Sequence, residues 1–433
     1  MKELSRIKEL VEKYPNTKIQ NLTRYINYDN LLESHRYMDA TKAKGTDKVG
    51  KVEYQENLND NITNLLTRMK RQVYKPQPVR RTYIDKIGSS KKRPLGIPAY
   101  EDKLVQRVMT EILNTIYEPM FLSTSYGFRK DLNCHKAIKA LRNTIQLKKV
   151  NYIVDADIKG FFDNVNHNWI LEFVKYRIAD KRFIYLIERF LKAGIMEQGK
   201  FHTSPLGTPQ GGIISPVLAN IYLHFVLDLW FEKVVKKYSR GEAYIVRYAD
   251  DFVCCFQYKD DAERFYTNLI TRLKKFNLEI AEEKTKIIEF GRFAESSRKE
   301  KGLNRPETFN FLGFTFYCSK SLNNKFKLKL KTNIKKLTVK IKKIKDWIKE
   351  NRHMEVKELV KRLNLRLVGH YRYYGVTDNS SSIYTFYHET VKYLFKMLNK
   401  RSQKKSFNWM EFNERFLTRH LVTRPKLYVN LFN

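Results

Sequence analysis

Apolar positions along the chain fall into runs with a helical period, separated by shorter runs with the period of a strand. From Lys2 to about Asp39 the pattern is helical and charged, broken at Pro15, and the run Asp39–Lys44 ends at Gly45, a helix stop. Leu58, Ile62, Leu65, Leu66 and Met69 share one face of a helix over 58–71, after which Pro76 and Pro78 force extended chain. Helical spacing returns through Leu104, Val105, Val108, Met109, Ile112 and Ile116, and again through Phe183, Ile187, Phe190 and Leu191. The most apolar stretch, Ile213 to Phe231, is interrupted by Ser215, Pro216, Asn220, His224 and Asp228. Several of these are costly in a bilayer, so it predicts a buried helix and not a membrane span.

Strand-like segments surround Tyr152–Val154, Tyr244–Arg247, Phe252–Phe256, Lys286–Phe290 and Phe309–Phe316. Val79–Ile84 and Lys91-Lys92-Arg93-Pro-Leu-Gly-Ile-Pro98 read as two extended arms around the polar tip Gly88-Ser89-Ser90; such a cationic hairpin either grips phosphate or is simply solvated. Glu295 to Pro306 is charged and aperiodic, which predicts a surface loop between two strands. Strands and helices interspersed with long connections predict an α+β fold, a mixed sheet with helices packed behind it.

At about 150 residues per domain, 433 residues hold two or three domains, which excludes a disulfide-stapled miniature fold. Charge narrows the partner: 83 basic residues against 46 acidic ones leave +37, a field that recruits polyanions and points to nucleic acid. From Ser321 to Asn433 there are 27 Lys and Arg against 8 Asp and Glu, so about half of that excess sits in a separate basic domain. Within it Ile334, Leu337, Ile341, Ile344 and Ile348 recur at helical spacing with lysines on the other faces, one face to pack and the rest to meet phosphate. The cysteines Cys134, Cys254, Cys255 and Cys318 show no CxxC spacing, so they read as small buried residues in a reducing cytosol. MKELSRIKEL carries no apolar core of a secretory signal, and an intracellular protein is expected.

Candidate chemistry lies at two acidic sites far apart in sequence. In Tyr152-Ile-Val-Asp155-Ala-Asp157 a β-branched run delivers acids at its end; in Ile245-Val-Arg-Tyr248-Ala-Asp250-Asp251-Phe-Val-Cys-Cys-Phe256 two apolar strands flank an Ala-Asp turn. An antiparallel hairpin puts Asp250 and Asp251 at its tip. With Asp157 beside that tip, three carboxylates converge, a cluster that cations must neutralise. Two magnesium ions roughly 4 Å apart, with manganese as a substitute, would activate a 3′-hydroxyl and stabilise leaving pyrophosphate. An isolated Asp-Asp pair is as often a solvated turn; the flanking strands, Asp157 and the basic surface together favour the metal reading.

Tyr248-Ala-Asp-Asp251 resembles the catalytic hairpin of reverse transcriptases, and other blocks follow in that family's order. These are the hairpin ending Arg93-Pro-Leu-Gly-Ile-Pro98, then Ser125-Tyr-Gly-Phe-Arg129, Asp157-Ile-Lys-Gly-Phe-Phe-Asp163, Gly207-Thr-Pro-Gln-Gly-Gly-Ile-Ile-Ser-Pro216, Glu283-Lys-Thr285 and Phe311-Leu-Gly-Phe314. From about Lys44 onward the arrangement looks like group II intron-encoded reverse transcriptase and maturase proteins, and Leu367-Val-Gly-His-Tyr-Arg-Tyr-Tyr-Gly375 resembles their thumb. After Gly375 no His/Asn/Cys pattern of the HNH nuclease kind follows, so the endonuclease-lacking type is expected.

That resemblance implies a right-hand polymerase fold: an N-terminal helical extension over 1–43, fingers and palm over 44–321, and a basic helical thumb or maturase domain with an RNA- or DNA-binding tail over 322–433. It implies that Asp157, Asp250 and Asp251 hold the metals, assisted by the backbone carbonyl of Ile158. Lys86 and Arg93 would clamp the triphosphate; Gln210 and Gly211 would lie under the nucleotide. Phe162 would exclude a ribose 2′-hydroxyl, or else be an ordinary core residue; Gly313 would leave room for a primer terminus, or else mark a β-bulge. Arg129, Tyr248, Lys335 and Lys342 are the further template and primer candidates. The implied function is RNA-directed DNA synthesis from dNTPs, with binding of template RNA, intron RNA and a DNA primer or target, in a cytoplasmic, nucleoid-associated bacterial protein without a membrane partner. A splicing cofactor or RNA chaperone without polymerase activity, and a domesticated enzyme of DNA repair or phage defence, are the alternatives. An RNA-copying RNA polymerase fits less well, since that class tends to carry glycine before the paired aspartates.

Overall fold

The structure, a computed structural model, describes residues 4–85, 92–203, 206–208, 211–401, 403 and 406–432. Among them run the strands β1 (Val79–Asp85), β2 (Lys92–Ile97), β3 (Tyr152–Asp157), β4 (Ile195–Glu197), β5 (Lys200–His202), β6 (Ala243–Tyr248), β7 (Asp251–Phe256), β8 (Lys286–Glu289), β9 (Phe309–Phe311), β10 (Phe314–Lys320) and β11 (Phe326–Thr332). Mixed helix and antiparallel pairing bear out the α+β class. The residues divide into two compact units, one of residues up to 137 with 154–287, the other of 138–153 with residues from 288 onward.

In the first unit the helix Ser5–Lys13 buries Ile7 and Val11 and stops before Pro15. The helix Tyr28–Tyr37 starts on Asn27, whose side chain accepts the Asn30 amide, and ends sooner than the pattern predicts. Residues 39–44 are not helical, because Asp39 Oδ1 accepts both the amide and the hydroxyl of Thr41 at 2.8 Å, a local turn that competes with the helix. The expected helix over 58–71 is present as Leu58–Lys70, with Ile62 and Leu65 buried. β1 and β2 then pair antiparallel from Arg80↔Ile97 to Asp85↔Lys92, within a sheet ordered β2-β1-β4-β5. The hairpin tip lies outside the described residues.

In the first unit the helix Tyr100–Tyr117 is buried along most of its length through Leu104, Val105, Val108, Met109, Ile112, Leu113 and Ile116. It also buries Asp102, which accepts the Tyr74 hydroxyl and, at 2.9 Å, the Gln77 amide, tying down the chain that leads into β1. Burial pushes the Asp102 carboxyl up to about 7, against about 3.9 in an unfolded chain. Between those values the folded form binds more protons, so stability falls as pH rises from about 4 to about 7. Asp102→Asn removes this dependence: at pH 8 its melting temperature is expected to exceed that of the parent by about 3 °C, and at pH 4 to match or trail it. Thermal melts at both pH values test it.

The apolar stretch forms the helix Ser215–Leu223, with Pro216 in its first turn, and continues through a π-helical turn at His224–Asp228. Its residues are buried on nearly every side, which explains why no single apolar stripe shows in its sequence. The sheet ordered β6-β7-β3-β8 packs in this region. Among the described residues no helix is long and apolar enough to cross a membrane.

The second unit holds the sheet β11-β10-β9 and the helices Ile334–Glu350, Val356–Tyr374 and Ser380–Asn399. The predicted single segment Phe309–Phe316 is two strands joined at Leu312-Gly313, both residues having positive φ, 48° and 88°, as a two-residue hairpin turn requires. The loop expected over 295–306 contains a helix, Ala294–Glu300, instead. Only Ala294 of it is buried, so it carries no apolar stripe; Glu289 holds it by accepting from Ser297 and Lys301. Asn379 ties helix to sheet, accepting the Thr332 amide at 2.8 Å and donating to the Thr332 hydroxyl at 2.9 Å and the Tyr374 carbonyl at 2.7 Å.

Candidate active site

The first unit carries the acids. β3 ends on Asp157, and Tyr248 pairs with Asp251 across the β6–β7 hairpin, leaving Ala249-Asp250 as its two-residue turn. β7 lies next to β3, which brings Asp157 to the same region. Burial pushes the Asp250 carboxyl above the usual carboxylate range; the Asp157 charge adds to the rise, while Arg93 and Arg247 oppose it. Asp157 accepts a hydrogen bond from Lys284 Nζ at 2.6 Å.

Among the described residues no group of three or more His, Cys, Asp or Glu lies close enough to hold a metal ion. The expected convergence of three carboxylates is therefore a proximity of Asp157 to Asp250, with the Asp157 side chain turned onto the Lys284 ammonium. The donors still fit a hard divalent cation: all are oxygens, and the rise that burial and the Asp157 charge impose on the Asp250 carboxyl is what such an ion would relieve.

Ile158 is buried and bridges Ile280, but the hydrogen bonds of that bridge run through its neighbours: Ala281 N–H donates to the Asp157 carbonyl and Lys159 N–H to the Glu279 carbonyl. The Ile158 carbonyl is thus not part of that pairing. Phe162 is half-buried, its ring edge-on to buried Phe161 at 5.2 Å, and its carbonyl accepts the Thr208 amide at 2.8 Å. A Cβ at Gly207 would meet the Phe162 carbonyl at 2.8 Å, and one at Gly211 would meet the Gly96 carbonyl at 2.8 Å. The two glycines thereby let residue 207 approach the backbone of Phe162 and Asp163, and residue 211 that of β2, the strand that carries Arg93. Lys86 and Gln210 lie outside the described residues.

Other candidates sit differently. Arg129 donates to Glu118 at 2.9 Å and to the carbonyls of Leu122 and Ser125 at 2.7 and 2.6 Å, with its side chain only 9% exposed. Its guanidinium clamps its own loop, so the expected template contact gives way to an internal one. Tyr248 is half-buried, and burial together with the Cys134 thiol raises its phenol to about 12. Gly313, Lys335 and Lys342 belong to the second unit. A Cβ at Gly313 would meet Tyr374 Oη at 3.1 Å, and the hairpin turn accounts for its conformation, so it marks no bulge. Lys335 and Lys342 are both exposed on the helix Ile334–Glu350.

Comparison with known proteins decides the family. Residues 84–316, more than half of the chain, match the family of reverse transcriptases (RNA-dependent DNA polymerases). The chain belongs to that reverse transcriptase family. Residues 329–415 match the group II intron maturase-specific domain, which bears out the resemblance to group II intron-encoded reverse transcriptase and maturase proteins. The chain is 45% identical over 174 residues to the group II intron-encoded protein LtrA of Lactococcus lactis subsp. cremoris, an overlap of 39% of this chain and 29% of the relative. It is 36% identical over 219 residues to protein YkfC of Escherichia coli (strain K12), covering 48% of this chain and 57% of that one. A 91 kDa protein in the cob intron of Schizosaccharomyces pombe shares 38% over 180 residues, 42% of this chain and 22% of the relative. The chain thus spans less than a third of the first relative's length and just over half of the second's. Reverse transcriptases as a family generally use divalent metal ions such as magnesium.

Sequence patterns did not single out Lys284 within Glu283-Lys-Thr285, the glycine contact between Gly96 and Gly211, or the fully buried pair of Arg247 and Asp228. Of these, Arg247 offered the clearest signal, a charge in the middle of an otherwise apolar strand.

Proposed function

We propose that this reverse transcriptase chain is an RNA-directed DNA polymerase that copies an RNA template from dNTPs and binds intron RNA to assist splicing and mobility. The proximity of Asp250, at the turn of an apolar hairpin, to the end of β3 at Asp157 carries the reading. Asp157, Asp250 and Asp251, with the Ile158 carbonyl, are the proposed ligands of two magnesium ions. When bound, these would supply Lewis-acid activation of the primer 3′-hydroxyl and neutralise charge on the leaving pyrophosphate.

The chain's own residues do the rest. Arg93, with Lys86, offsets triphosphate charge; its influence on Asp250 supports that role. Gln210 and Gly211 form the floor under the nucleotide, and Phe162 closes the space at the sugar 2′ position. Tyr248, Gly313, Lys335 and Lys342 are assigned to template and primer. Residues 44–321 are read as fingers and palm, 322–433 as thumb and maturase domain, and 1–43 as an extension.

Primer extension on an RNA template with magnesium, comparing dNTPs with rNTPs, tests the reading. Full-length cDNA from dNTPs supports it; tight RNA binding with no extension would leave a splicing cofactor. The basic surface makes a separate prediction: RNA affinity falls steeply with salt, and Lys335→Ala with Lys342→Ala flattens the log K against log salt slope by about 2. A slope unchanged by the pair would remove both lysines from the interface.

A further inference from the structure

The catalytic hairpin rests on a buried polar network. Arg247 is fully buried on β6, and its guanidinium makes four hydrogen bonds. Nε and Nη2 fork onto the Asp228 carboxylate at 2.7 and 2.5 Å, and Asp228 is itself fully buried. Nη1 donates to Asn220 Oδ1 at 3.1 Å and to the carbonyl of Ala249 at 3.0 Å.

Ala249 is the first residue of the turn that carries Asp250, and it holds φ at 57°, a left-handed conformation that costs a non-glycine residue about 1–2 kcal/mol. The guanidinium therefore grips the carbonyl of the strained residue next to the acid. Asn220 extends the grip, since its Nδ2 donates at 2.7 Å to the carbonyl of Gly127. Gly127 in turn packs so closely on the turn that a Cβ there would come within 2.3 Å of the Ala249 amide nitrogen. The Arg247 backbone is also fixed, donating to the Thr124 carbonyl at 2.9 Å and accepting the Tyr126 amide at 2.8 Å.

Asp228 reaches this place from the π-helical turn His224–Asp228, a local widening of the helix that starts at Ser215. His224, whose Nδ1 is 4.0 Å from Asp228, is held near 4 by burial and so stays neutral at physiological pH, leaving Asp228 to Arg247. A fully buried ion pair is weak evidence for stability, because desolvation offsets the attraction. What this pair supplies instead is geometry.

We propose that Arg247, oriented by Asp228 and Asn220, is a positioning residue for nucleotidyl transfer: through the Ala249 carbonyl it sets where Asp250 stands for its divalent cation. The proposal rests on the polymerase reading above. It assigns Arg247 no contact with substrate. Lysine cannot replace it, since one ammonium cannot fork onto Asp228 and also reach Asn220 and Ala249.

Arg247→Lys, Asn220→Ala and wild type should be compared in steady-state extension, in RNA binding, and in Mn2+ binding followed by its electron paramagnetic resonance signal, with Asp250→Asn as the reference for Mn2+. Arg247→Lys is expected to lower kcat by about 30-fold, leave KM for dNTP within about 3-fold, and weaken Mn2+ binding about 10-fold at unchanged RNA affinity. Asn220→Ala, which removes one arm and keeps the ion pair, should lower kcat about 5-fold with the same signature, and decides the matter where Arg247→Lys does not fold. Loss of thermal stability with kcat and Mn2+ affinity unchanged would overturn the proposal, leaving a structural ion pair. A wild type that binds RNA but never extends a primer would sink the polymerase reading alone; the Mn2+ titrations still decide whether Arg247 places Asp250.

Discussion

Asp250→Asn is expected to abolish primer extension, lowering kcat by about three orders of magnitude, or about 4 kcal/mol of transition-state stabilisation. The residue stands at the turn of the β6–β7 hairpin, where its carboxyl is already driven toward protonation by burial and by Asp157. A neutral isostere relieves that strain in the protein alone, so the variant should melt at the same temperature as wild type or about 1–2 °C above it. RNA affinity should not move, since the substitution leaves every basic residue of the chain in place. Activity lost while stability holds or rises is the signature of a group kept in an unfavourable place for chemistry. A variant that loses activity and stability together would make Asp250 a structural residue, and one that keeps activity would remove it from the metal site.

The parts of this site that sequence made legible are those where a strand period and a turn say the same thing. The apolar run into Asp157 and the two apolar arms around Ala249-Asp250 are found as β3, β6 and β7 with the expected hairpin. Legibility fails where the deciding partner is distant or the cost is local. The Thr41 hydroxyl and amide take Asp39 out of a helix that the apolar pattern would have continued. Leu312 takes a left-handed conformation for which leucine gives no warning, so one expected strand became two. Arg129, a template and primer candidate by resemblance, is held instead by Glu118 and two carbonyls that no local pattern announces. Arg247 is the converse: a charge in an apolar strand declares that a partner exists, but only the π-helical turn explains how Asp228 becomes that partner.

Phe162→Ala is expected to open the site to ribonucleotides, raising incorporation of rNTPs relative to dNTPs by about 100-fold. The backbone of this residue is fixed, its carbonyl bonded to the Thr208 amide with Gly207 packed beneath, while its ring is only half-buried. The neighbour Phe161 has the opposite character, 2% exposed and in ring contact with Tyr222 at 6.2 Å. Of two adjacent phenylalanines, one therefore packs the core and the other keeps part of its surface in solvent. Truncating a buried phenylalanine costs about 3–5 kcal/mol of stability, and Phe162→Ala should cost less than that, because part of the ring is already in water. A steric gate acts on one substrate only: kcat/KM for rNTP should rise while that for dNTP falls by no more than about 3-fold. Phe161→Ala supplies the contrast, with a large loss of stability and no gain in ribonucleotide use. Equal effects of both truncations on dNTP and rNTP would return Phe162 to the core, and discrimination against ribose would then have to come from the backbone around Gly207 and Gly211.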